Sequence, residues 1–378
     1  MEQGKKKILF VIPEYSHGGT NKSLENLLLF LNKEMYDISI FCLYEDGGDY
    51  FKNLFKPYLI PKSHLYYWLH DNTITRKIIG IYNKITKRDN FTWLYKREAH
   101  LIQIKHNYDT VIAFQEGSST FYASHIPINK RIAWIHCDYG VLYRKNRSEK
   151  QLYDKFKTIV CVSNNAARNF TVLFPEFEKR TIAIHNVMDV DSIIKKSHES
   201  VNTDVFNGNT FNIVSIGRFV KVKQFEVIPQ IANRIKQRCN IPFKWYIIGS
   251  GDETKECIIR EIKEYALEDI VVLLGAQDNP YKYIQNCHLL ICTSHSESYP
   301  TVINEAKILH VPVMSNNFPS AGEVVNDKCG WTCPIEEMPT LITKLLNDED
   351  KIYSKVKETI SSYEYENEDI MKKIISII

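Results

Sequence analysis

Residues 288–313 read HLLICTSHSESYPTVINEAKILHVPV and contain the clearest strand–helix–strand pattern in the chain. His288–Cys292 and Val311–Met314 are apolar runs of strand length, and the residues between them leave room for a helix. Two parallel strands need a crossover of this kind, which is usually an α-helix. The pattern therefore predicts a βαβ unit in a parallel sheet.

The same alternation extends toward both ends of the chain. Upstream, the predicted strands of this half are Phe211–Ile216, Phe243–Ile248 and Ile270–Leu274. The first half of the chain has its own set: Lys7–Ile12, Asp37–Leu43, Tyr108–Phe114, Arg131–Ile135 and Thr158–Val162. Leucines at helical spacing predict an amphipathic helix over Asn21–Leu31. Strands that alternate with helices indicate an α/β fold.

A polar stretch at residues 195–210 divides the chain into two halves. A chain of 378 residues is long enough for two domains. We predict an N-terminal domain at 1–194, a linker at 195–210, a C-terminal domain at 211–347 and a helical tail at 348–378. Each domain is expected to be a Rossmann-like, doubly wound parallel sheet. Such sheets bind ligands at the carboxyl ends of their strands, so a cleft between two facing domains is the expected site.

The composition narrows the classes of partner and compartment. A net charge of only +3 argues against nucleic acid as the main partner. Nine cysteines without a CxxC pair indicate reduced thiols, not a disulfide or zinc framework. The apolar run near the N-terminus is too short for a signal peptide, and no stretch approaches the length of a membrane span. We therefore expect a cytoplasmic protein.

Basic residues are concentrated in the first part of the chain. Residues 1–150 hold 22 Lys and Arg against 15 Asp and Glu, and the excess peaks between Arg76 and Arg97. Aromatic residues lie among and before these cations, from Tyr66 to Tyr95. Such a surface suits an anionic lipid or an anionic acceptor, which predicts contact with the inner face of the membrane. The alternative is a solvated helical face whose aromatic residues pack in the core.

Two glutamates in the 288–313 stretch are the strongest candidates for chemistry. Glu297 follows a buried strand, and Glu305 lies eight residues later inside the next helix. Pro300 suits the first turn of that helix. Glu305 is placed to accept hydrogen bonds from vicinal hydroxyls, such as those of a ribose, and Glu297 to reach a sugar. The N–H groups near the helix start can bind phosphate, with the residues Ser298, Tyr299, Thr301 and Val302.

Other candidates also follow predicted strands. Arg218 and Lys223 in GRFVKVK are two cations that can bind a diphosphate and stabilise its charge as it leaves. Gly249 and Gly251 let the backbone approach a nucleotide. Surface charge and a plain turn remain the alternatives for these two segments.

The N-terminal half contributes two further candidates. The loop that contains Gly18, Gly19 and Thr20 precedes a helix, where a ligand can approach the backbone. It lacks the GxGxxG spacing of a dinucleotide site. His136 ends a predicted strand and is expected to face the cleft from the opposite side. A tight turn and a structural histidine are the alternatives.

Taken in order, these pieces resemble the retaining GT-B glycosyltransferases of family four. The ordered set is a glycine loop, a cleft histidine, GR-F-x3-K, GxG, Glu-x7-Glu and a later Gly-Glu at Gly322-Glu323. The sequence HNVMD around Asn186 also resembles a stretch that precedes the linker in that family. His310 stands where the family usually has glycine before x-Pro-Val.

The resemblance implies a role for each cleft residue. Arg218 and Lys223 would bind the donor diphosphate, assisted by the N–H groups near Tyr299–Val302. Glu297 would contact the donor sugar, and Glu305 would hold the ribose. His136 would lie beside the sugar on the acceptor side, with Gly18 and Gly19 giving the substrate access. The family's C-terminal helix crosses back to the first domain, which implies the same for residues 348–378.

The resemblance also implies the reaction. The expected activity is retaining transfer of a sugar from a nucleoside diphosphate, UDP being favoured over GDP, to a glycan or lipid-linked acceptor. The setting would be surface polysaccharide synthesis, such as lipopolysaccharide or capsule. No metal and no cofactor are expected, since the nucleotide sugar is itself a substrate. Glu297 is either a covalent nucleophile or a positioning residue, and the family favours the second.

Two rival functions stay open at this point. One is an inverting GT-B transferase or a sugar-nucleotide epimerase, which would share the fold. The other is a non-catalytic protein that binds a nucleotide sugar or a glycan within a polysaccharide assembly complex.

Overall fold

A computed structural model describes residues 4–16, 18–44, 47–86, 90–142, 147–201, 206 and 210–378. Three predicted features fall partly outside these ranges. They are the glycine loop at His17, the basic stretch at residues 87–89, and the linker at residues 202–205 and 207–209.

The chain forms two compact units, the first comprising residues 1–188 and 367–378, and the second residues 189–366. Residues 195–197, at the start of the predicted linker, belong to a helix over Val190–Ser197. The tail contains the helices Ile352–Ile360 and Asn367–Ile377 joined by a non-helical segment, and the last of these helices groups with the first unit.

The first unit contains a six-stranded sheet in the order β2-β1-β3-β4-β5-β6, and every neighbouring pair is parallel. Its strands are β1 (Lys6–Ile12), β2 (Tyr36–Cys42), β3 (Thr110–Ala113), β4 (Arg131–Ile135), β5 (Thr158–Cys161) and β6 (Thr181–Ala183). Its helices are α1 (Gly19–Phe30), α2 (Asp49–Phe55), α3 (His64–Tyr66), α4 (Thr73–Thr86), α5 (Asn90–His106), α6 (Ser118–Ala123), α7 (Tyr139–Leu142), α8 (Arg147–Tyr153) and α9 (Asn164–Leu173).

The second unit also has a parallel six-stranded sheet, in the order β12-β11-β10-β7-β8-β9. Its strands are β7 (Phe211–Ile216), β8 (Phe243–Ile248), β9 (Val271–Gly275), β10 (Leu289–Cys292), β11 (Val313–Asn316) and β12 (Gly330–Cys333). Its helices are α10 (Val190–Ser197), α11 (Ile228–Lys236), α12 (Lys255–Glu264), α13 (Tyr281–Asn286), α14 (Thr301–Ile308), α15 (Ala321–Val324), α16 (Met338–Leu346) and α17 (Ile352–Ile360). The chain then returns to the first unit with α18 (Asn367–Ile377).

The predicted α/β class, with two doubly wound parallel sheets, is confirmed. Each sheet is built on strands whose side chains are buried, as in Ile8–Ile12 and Leu289–Ile291. Sheets covered on both faces by helices require such continuous apolar strands. Among the described residues, no helix is both long enough and apolar enough to cross a membrane.

The predicted element bounds needed small corrections. Every predicted strand is present, with ends that move by up to two residues, but β6 and β12 were not predicted. The strand predicted from Val311 begins at Val313, because Pro312 has no N–H to donate to a neighbouring strand. The first helix begins at Gly19 instead of Asn21. Pro300 does not lie in a helical turn: its ψ of 104° is extended, and α14 begins after it at Thr301.

Candidate functional site

The strand order of the second unit places two loops side by side. Its sheet starts at β7 and runs outward to β8 and β9 on one side and to β10, β11 and β12 on the other. In an open α/β sheet, ligands bind at such a switch point, outside the carboxyl ends of the strands. Arg218 follows β7 and Glu297 follows β10, so both loops emerge at this edge. Candidate residues from two distant parts of the sequence therefore share one site.

Lys223 and Glu297 form an ion pair at this edge. Lys223 Nζ lies 2.5 Å from Glu297 Oε1, and both side chains are mostly buried. The same carboxylate oxygen accepts a hydrogen bond of 2.7 Å from Ser294 Oγ. Thr293 Oγ1 donates to the backbone oxygen of Lys223 at 2.7 Å, which joins the two loops a second time. The predicted cation and the predicted sugar-binding carboxylate thus contact each other directly.

The electrostatics of the two predicted cations differ. Burial by itself lowers the pKa of Lys223, but the Glu297 carboxylate outweighs burial, so the pKa is raised overall. Arg218 acts on the same ammonium in the opposite direction, which means that the two cations lie near each other. The Arg218 side chain is exposed, unlike that of Lys223. Lys223 therefore stays charged at neutral pH, and Arg218 is the more accessible cation.

The glycines after β7 and β8 bring two backbones into close contact. Gly249 has φ +159°, and a Cβ there would lie only 1.7 Å from the backbone oxygen of Gly217. A side chain at Gly249 would therefore push the two strand ends apart. Beside this contact is a cavity of about 350 Å³, whose lining includes Phe219, Gly251 and Leu273. Gly249 and Gly251, which we predicted to let the backbone approach a ligand, both line this cavity.

The N-terminus of α14 is suited to bind an anion. Its N-cap residue is Pro300, which has no side-chain oxygen to accept from the first-turn N–H groups. The helix starts at Thr301 and Val302, whose side chains are both partly exposed. Uncapped N–H groups together with the helix dipole attract negative charge. Glu305 lies on the same helix, four residues after Thr301, and is partly buried.

The loop before α14 is held by the segment that links α17 to α18. Tyr299 Oη and Tyr365 Oη are 2.8 Å apart, and burial raises the pKa of Tyr299 to about 12. Lys307 lies over the Tyr363 ring, with Nζ 4.6 Å from its centroid. His310 has a left-handed φ of +55°, a conformation that glycine adopts without strain. Its Nε2 lies 3.2 Å from the backbone oxygen of Tyr363.

The remaining predicted residues belong to the first unit. Gly18 is the N-cap of α1, and a Cβ at Gly18 or Gly19 would meet no atom within 4 Å. These glycines are thus not required by packing, and the space beside them is open. Asn21 holds the loop, since its Nδ2 donates to the backbone oxygens of Glu14 and Ser16. Thr20 lies in the first turn of α1.

His136 follows β4, as predicted from the sequence. Its backbone N–H donates to Glu116 Oε2 at 2.9 Å, and its ring packs on Phe114. Burial lowers the pKa of His136 to about 3, so the imidazole is neutral at physiological pH. Among the described residues, its buried Nε2 has no hydrogen-bond partner. The ring is therefore an uncharged hydrogen-bonding group, not a cation.

A larger cavity, about 600 Å³, lies at the carboxyl ends of β1 and β2 in the first unit. Three of its lining residues carry basic side chains: Lys56, Lys62 and His64. Tyr15 and Tyr67 supply aromatic surface. Basic side chains beside aromatic rings suit a ligand in which a polar or anionic group is joined to an apolar one.

Sequence reasoning missed several residues at these edges. Ser294 and Ser320 hold Glu297, through its carboxylate and its backbone oxygen respectively. Glu116 follows β3 in the same way that Glu297 follows β10, and this position after a buried strand was a signal that could have identified it. The two serines gave no comparable signal, because their partners are set by the tertiary fold.

Sequence comparison finds similarity to glycosyltransferases, and the family-model match lies in the second unit. Residues 197–363 match the family model described as Glycosyl transferases group 1. A 225-residue match to the N-acetylgalactosamine-N,N'-diacetylbacillosaminyl-diphospho-undecaprenol 4-alpha-N-acetylgalactosaminyltransferase of Campylobacter jejuni is 26% identical and covers 56% of this chain and 59% of that protein. The poly(ribitol-phosphate) alpha-N-acetylglucosaminyltransferase of Staphylococcus aureus is 25% identical over 63% of this chain and 50% of its own length. The matches thus span only half to three fifths of these relatives.

Structural comparison covers almost the whole chain. HepE of Anabaena, solved in complex with UDP and glucose, superposes with a TM-score of 0.71 at 16% sequence identity. The superposition covers 98% of each chain. At this identity the similarity establishes the fold. The chain therefore has the two-domain GT-B fold, and its second unit carries the sequence signature of the glycosyl transferases group 1 model.

Proposed function

We propose that this protein is a retaining glycosyltransferase of GT-B family four, which moves a sugar from a nucleoside diphosphate to a glycan or lipid-linked acceptor in surface polysaccharide synthesis. The observation that carries the proposal is the arrangement at the switch point of the second unit. The Lys223–Glu297 ion pair, the exposed Arg218 and the uncapped start of α14 all follow strand ends of one sheet edge. Cations and N–H groups at one sheet edge can bind a diphosphate, and the carboxylate can accept hydrogen bonds from sugar hydroxyls.

In the proposed reaction the second unit binds the donor. Arg218, Lys223 and the N–H groups at the start of α14 hold the diphosphate, and Glu305 holds the ribose. The cavity beside Gly249 takes the nucleobase. As the bond between the sugar and the phosphate breaks, negative charge grows on the diphosphate. Fixed cations and N–H dipoles stabilise that charge more in the transition state than in the ground state.

Glu297 is proposed to position the sugar, not to attack it. Its Oε1 accepts hydrogen bonds from both Lys223 and Ser294, and these bonds make that oxygen a weaker nucleophile. The acceptor hydroxyl then attacks the anomeric carbon from the face that the diphosphate leaves. The new bond joins the acceptor oxygen to that carbon, the carbon–phosphate oxygen bond breaks, and the acceptor's proton passes to the departing phosphate oxygen.

The acceptor is proposed to bind the first unit. The cavity at β1 and β2 offers lysines and tyrosines to a charged glycan or to a sugar on a lipid diphosphate. The neutral His136 and the open Gly18–Thr20 turn would contact the reacting sugars. The name of the Campylobacter relative records a diphospho-undecaprenol acceptor and an α linkage. An α product from an α-linked nucleotide sugar requires retention.

We further propose a UDP-sugar as the donor, ahead of a GDP-sugar, with no cofactor and no metal. The helix N–H groups and two cations can supply the electrostatic stabilisation that a metal gives to other transferases. The HepE structure in complex with UDP and glucose supports the choice of base, since it shares this fold. The proposed compartment is the cytoplasm, where the nine free thiols stay reduced.

The proposal is tested by incubating the protein with a panel of UDP- and GDP-sugars. Release of the nucleoside diphosphate is measured by chromatography. Slow hydrolysis of one UDP-sugar, lost in Arg218→Ala, is expected. Tight nucleotide-sugar binding without any turnover, even with membrane extracts as acceptor, would instead support the non-catalytic alternative. The anomeric configuration of the transferred sugar, measured by NMR, separates retention from inversion.

A further inference from the structure

Helix α4, Thr73–Thr86, has a stripe of apolar side chains that face solvent. Ile74, Ile78 and Ile81 are 73%, 59% and 61% exposed, and Tyr82 is also exposed. Positions i, i+4, i+7 and i+8 fall on one face of a helix. An amphipathic helix of a soluble domain normally turns such a face toward the core. Here the apolar face points the other way.

Helix α4 also gains little stabilisation from packing against the rest of the first unit. Of the α4 residues whose side chains the structure describes, 73–82 and 84, none is buried. A 14-residue helix is marginally stable in water without tertiary packing. The sequence nevertheless has strong helical amphipathicity. Another apolar surface is therefore needed to cover the stripe.

The charges of α4 indicate what kind of surface that is. The sequence TITRKIIGIYNKIT contains three cations and no acidic residue. Lys77 and Lys84 are exposed and seven residues apart, so they lie above one another beside the apolar stripe. The turn before the helix adds Tyr67 and Trp68, both more than half exposed. Exposed isoleucines flanked by lysines, with a tryptophan close by, suit a bilayer surface that carries negative charge.

We propose that α4 and the preceding Tyr67–Trp68 turn form a docking face that inserts into the headgroup region of an anionic membrane. The isoleucines enter the boundary of the acyl chains, while Lys77 and Lys84 contact lipid phosphates. Tyr67 also lines the basic cavity of the first unit, so docking would bring that cavity to the membrane surface. The face itself does not depend on the proposed reaction.

Sedimentation with vesicles tests the docking face directly. The purified full chain is mixed at low salt with vesicles of equimolar phosphatidylglycerol and phosphatidylcholine, or of phosphatidylcholine alone. We expect binding to the anionic vesicles, several-fold weaker binding to the neutral ones, and release as salt approaches about 0.5 M. Ile78→Glu/Ile81→Glu should lower the partition coefficient about tenfold or more, because two side chains no longer enter the apolar layer.

Matched variants separate the docking face from general effects. Val172→Glu replaces another β-branched apolar side chain, which is 71% exposed on α9. This variant should bind vesicles as the wild type does. Lys77→Glu/Lys84→Glu should weaken binding several-fold, whereas Lys344→Glu/Lys355→Glu, at exposed lysines of the second unit, should not. Circular dichroism confirms that each variant is folded.

Three results would overturn the proposal. The first is the absence of binding to anionic vesicles at low salt. The second is equal binding by Ile78→Glu/Ile81→Glu and the wild type. The third is a dimer, detected by light scattering, that the same substitutions dissociate while vesicle binding is absent, since a second copy of the chain would then cover the stripe. None of these measurements uses a donor sugar, so their outcome does not depend on the proposed transfer reaction.

Discussion

Lys223 Nζ and Glu297 Oε1 are 2.5 Å apart although 74 residues separate them in the sequence. The contact exists because β7 and β10 are neighbours in the sheet, so the loops that follow them meet. It ties the cation that we assign to the diphosphate to the carboxylate that we assign to the sugar. A change at either residue should therefore affect both, whereas Arg218 is exposed and can be tested by itself.

The first prediction concerns Arg218. Arg218→Ala should lower kcat at saturating donor by roughly tenfold to a thousandfold, as loss of one group that stabilises developing charge does. Lys221→Ala is the matched control, because Lys221 is an exposed cation three residues away in the same loop. Initial rates of nucleotide release decide the matter. Equal rates for Arg218→Ala and Lys221→Ala would remove Arg218 from the diphosphate site.

The second prediction is that transfer needs no divalent metal. In the proposed site, two cations and the N–H groups of α14 would supply the positive potential at the diphosphate. Activity should therefore survive EDTA with less than a twofold change, measured on protein dialysed against the chelator. Activity that disappears with EDTA and returns with manganese would show that these groups are insufficient.

The third prediction follows from the tyrosine pair that holds the loop before α14. Tyr365→Phe removes the hydroxyl that lies 2.8 Å from Tyr299 Oη. The loop before α14 should then be less well positioned, and the donor KM should rise several-fold with a smaller change in kcat. Tyr353→Phe is the control, since it also removes one hydrogen bond, to the His288 backbone oxygen. Both variants should lose about 1 kcal/mol of stability, so only a KM effect specific to Tyr365→Phe supports positioning.

The fourth prediction is a pH dependence of stability that originates at His136. Its pKa is about 3 in the folded protein and about 6.5 in the unfolded chain. Below pH 6.5 the unfolded state binds a proton that the folded state does not, so stability falls as the pH falls. Between pH 7 and pH 5 this one residue should cost about 2 kcal/mol.

Urea unfolding of the wild type and of His136→Asn at the two pH values measures this cost. The fall in the free energy of unfolding should be smaller in His136→Asn by about the predicted amount. Other histidines contribute equally to both proteins, so the difference between the two falls isolates His136. An identical decrease in the free energy of unfolding for the wild type and His136→Asn would show that the ring is not protected from protonation.

The sequence predicted most of the fold because the ten predicted strands are mostly apolar, and the inner strands of both sheets are largely buried. Burial in a parallel sheet forces that composition, so it is visible without the structure. Strands β6 and β12 escaped prediction for the opposite reason. Thr181–Ala183 has only three residues, and Gly330–Cys333 starts with a glycine and includes a threonine. Both lie at the edge of a sheet, but so do β2 and β9, whose longer and more apolar sequences made them predictable.

The candidate site was predictable in its residue types but not in its contacts. A position after a buried strand marked Arg218, Glu297 and His136, since strand ends of a parallel sheet converge on one edge. The ion pair of Glu297 depends on which strands are neighbours, and the sequence does not state the strand order. The low pKa of His136 depends on burial in the tertiary structure, where its ring packs on Phe114.

The last prediction separates the two glutamates of the donor site. Glu305 lies in α14, where we assign it to the ribose, a group that does not change during the reaction. Its contact is nearly equal in the ground state and in the transition state, so Glu305→Gln should mainly raise the donor KM. Glu297 pairs with Lys223, and we assign it to the sugar, where charge and geometry change. Glu297→Gln should mainly lower kcat, because it weakens both the sugar contact and the hold on Lys223.

Glutamine keeps the side-chain volume, so steady-state kinetics with folding checked by circular dichroism compare the two variants fairly. Lys223→Met tests the pairing itself: combined with Glu297→Gln it should lower kcat by less than the product of the two single effects, since residues in contact are not additive. A collapse of kcat in Glu305→Gln with only a KM shift in Glu297→Gln would reverse the two roles. If neither substitution changes the kinetics, the donor does not bind at the strand ends of β7 and β10.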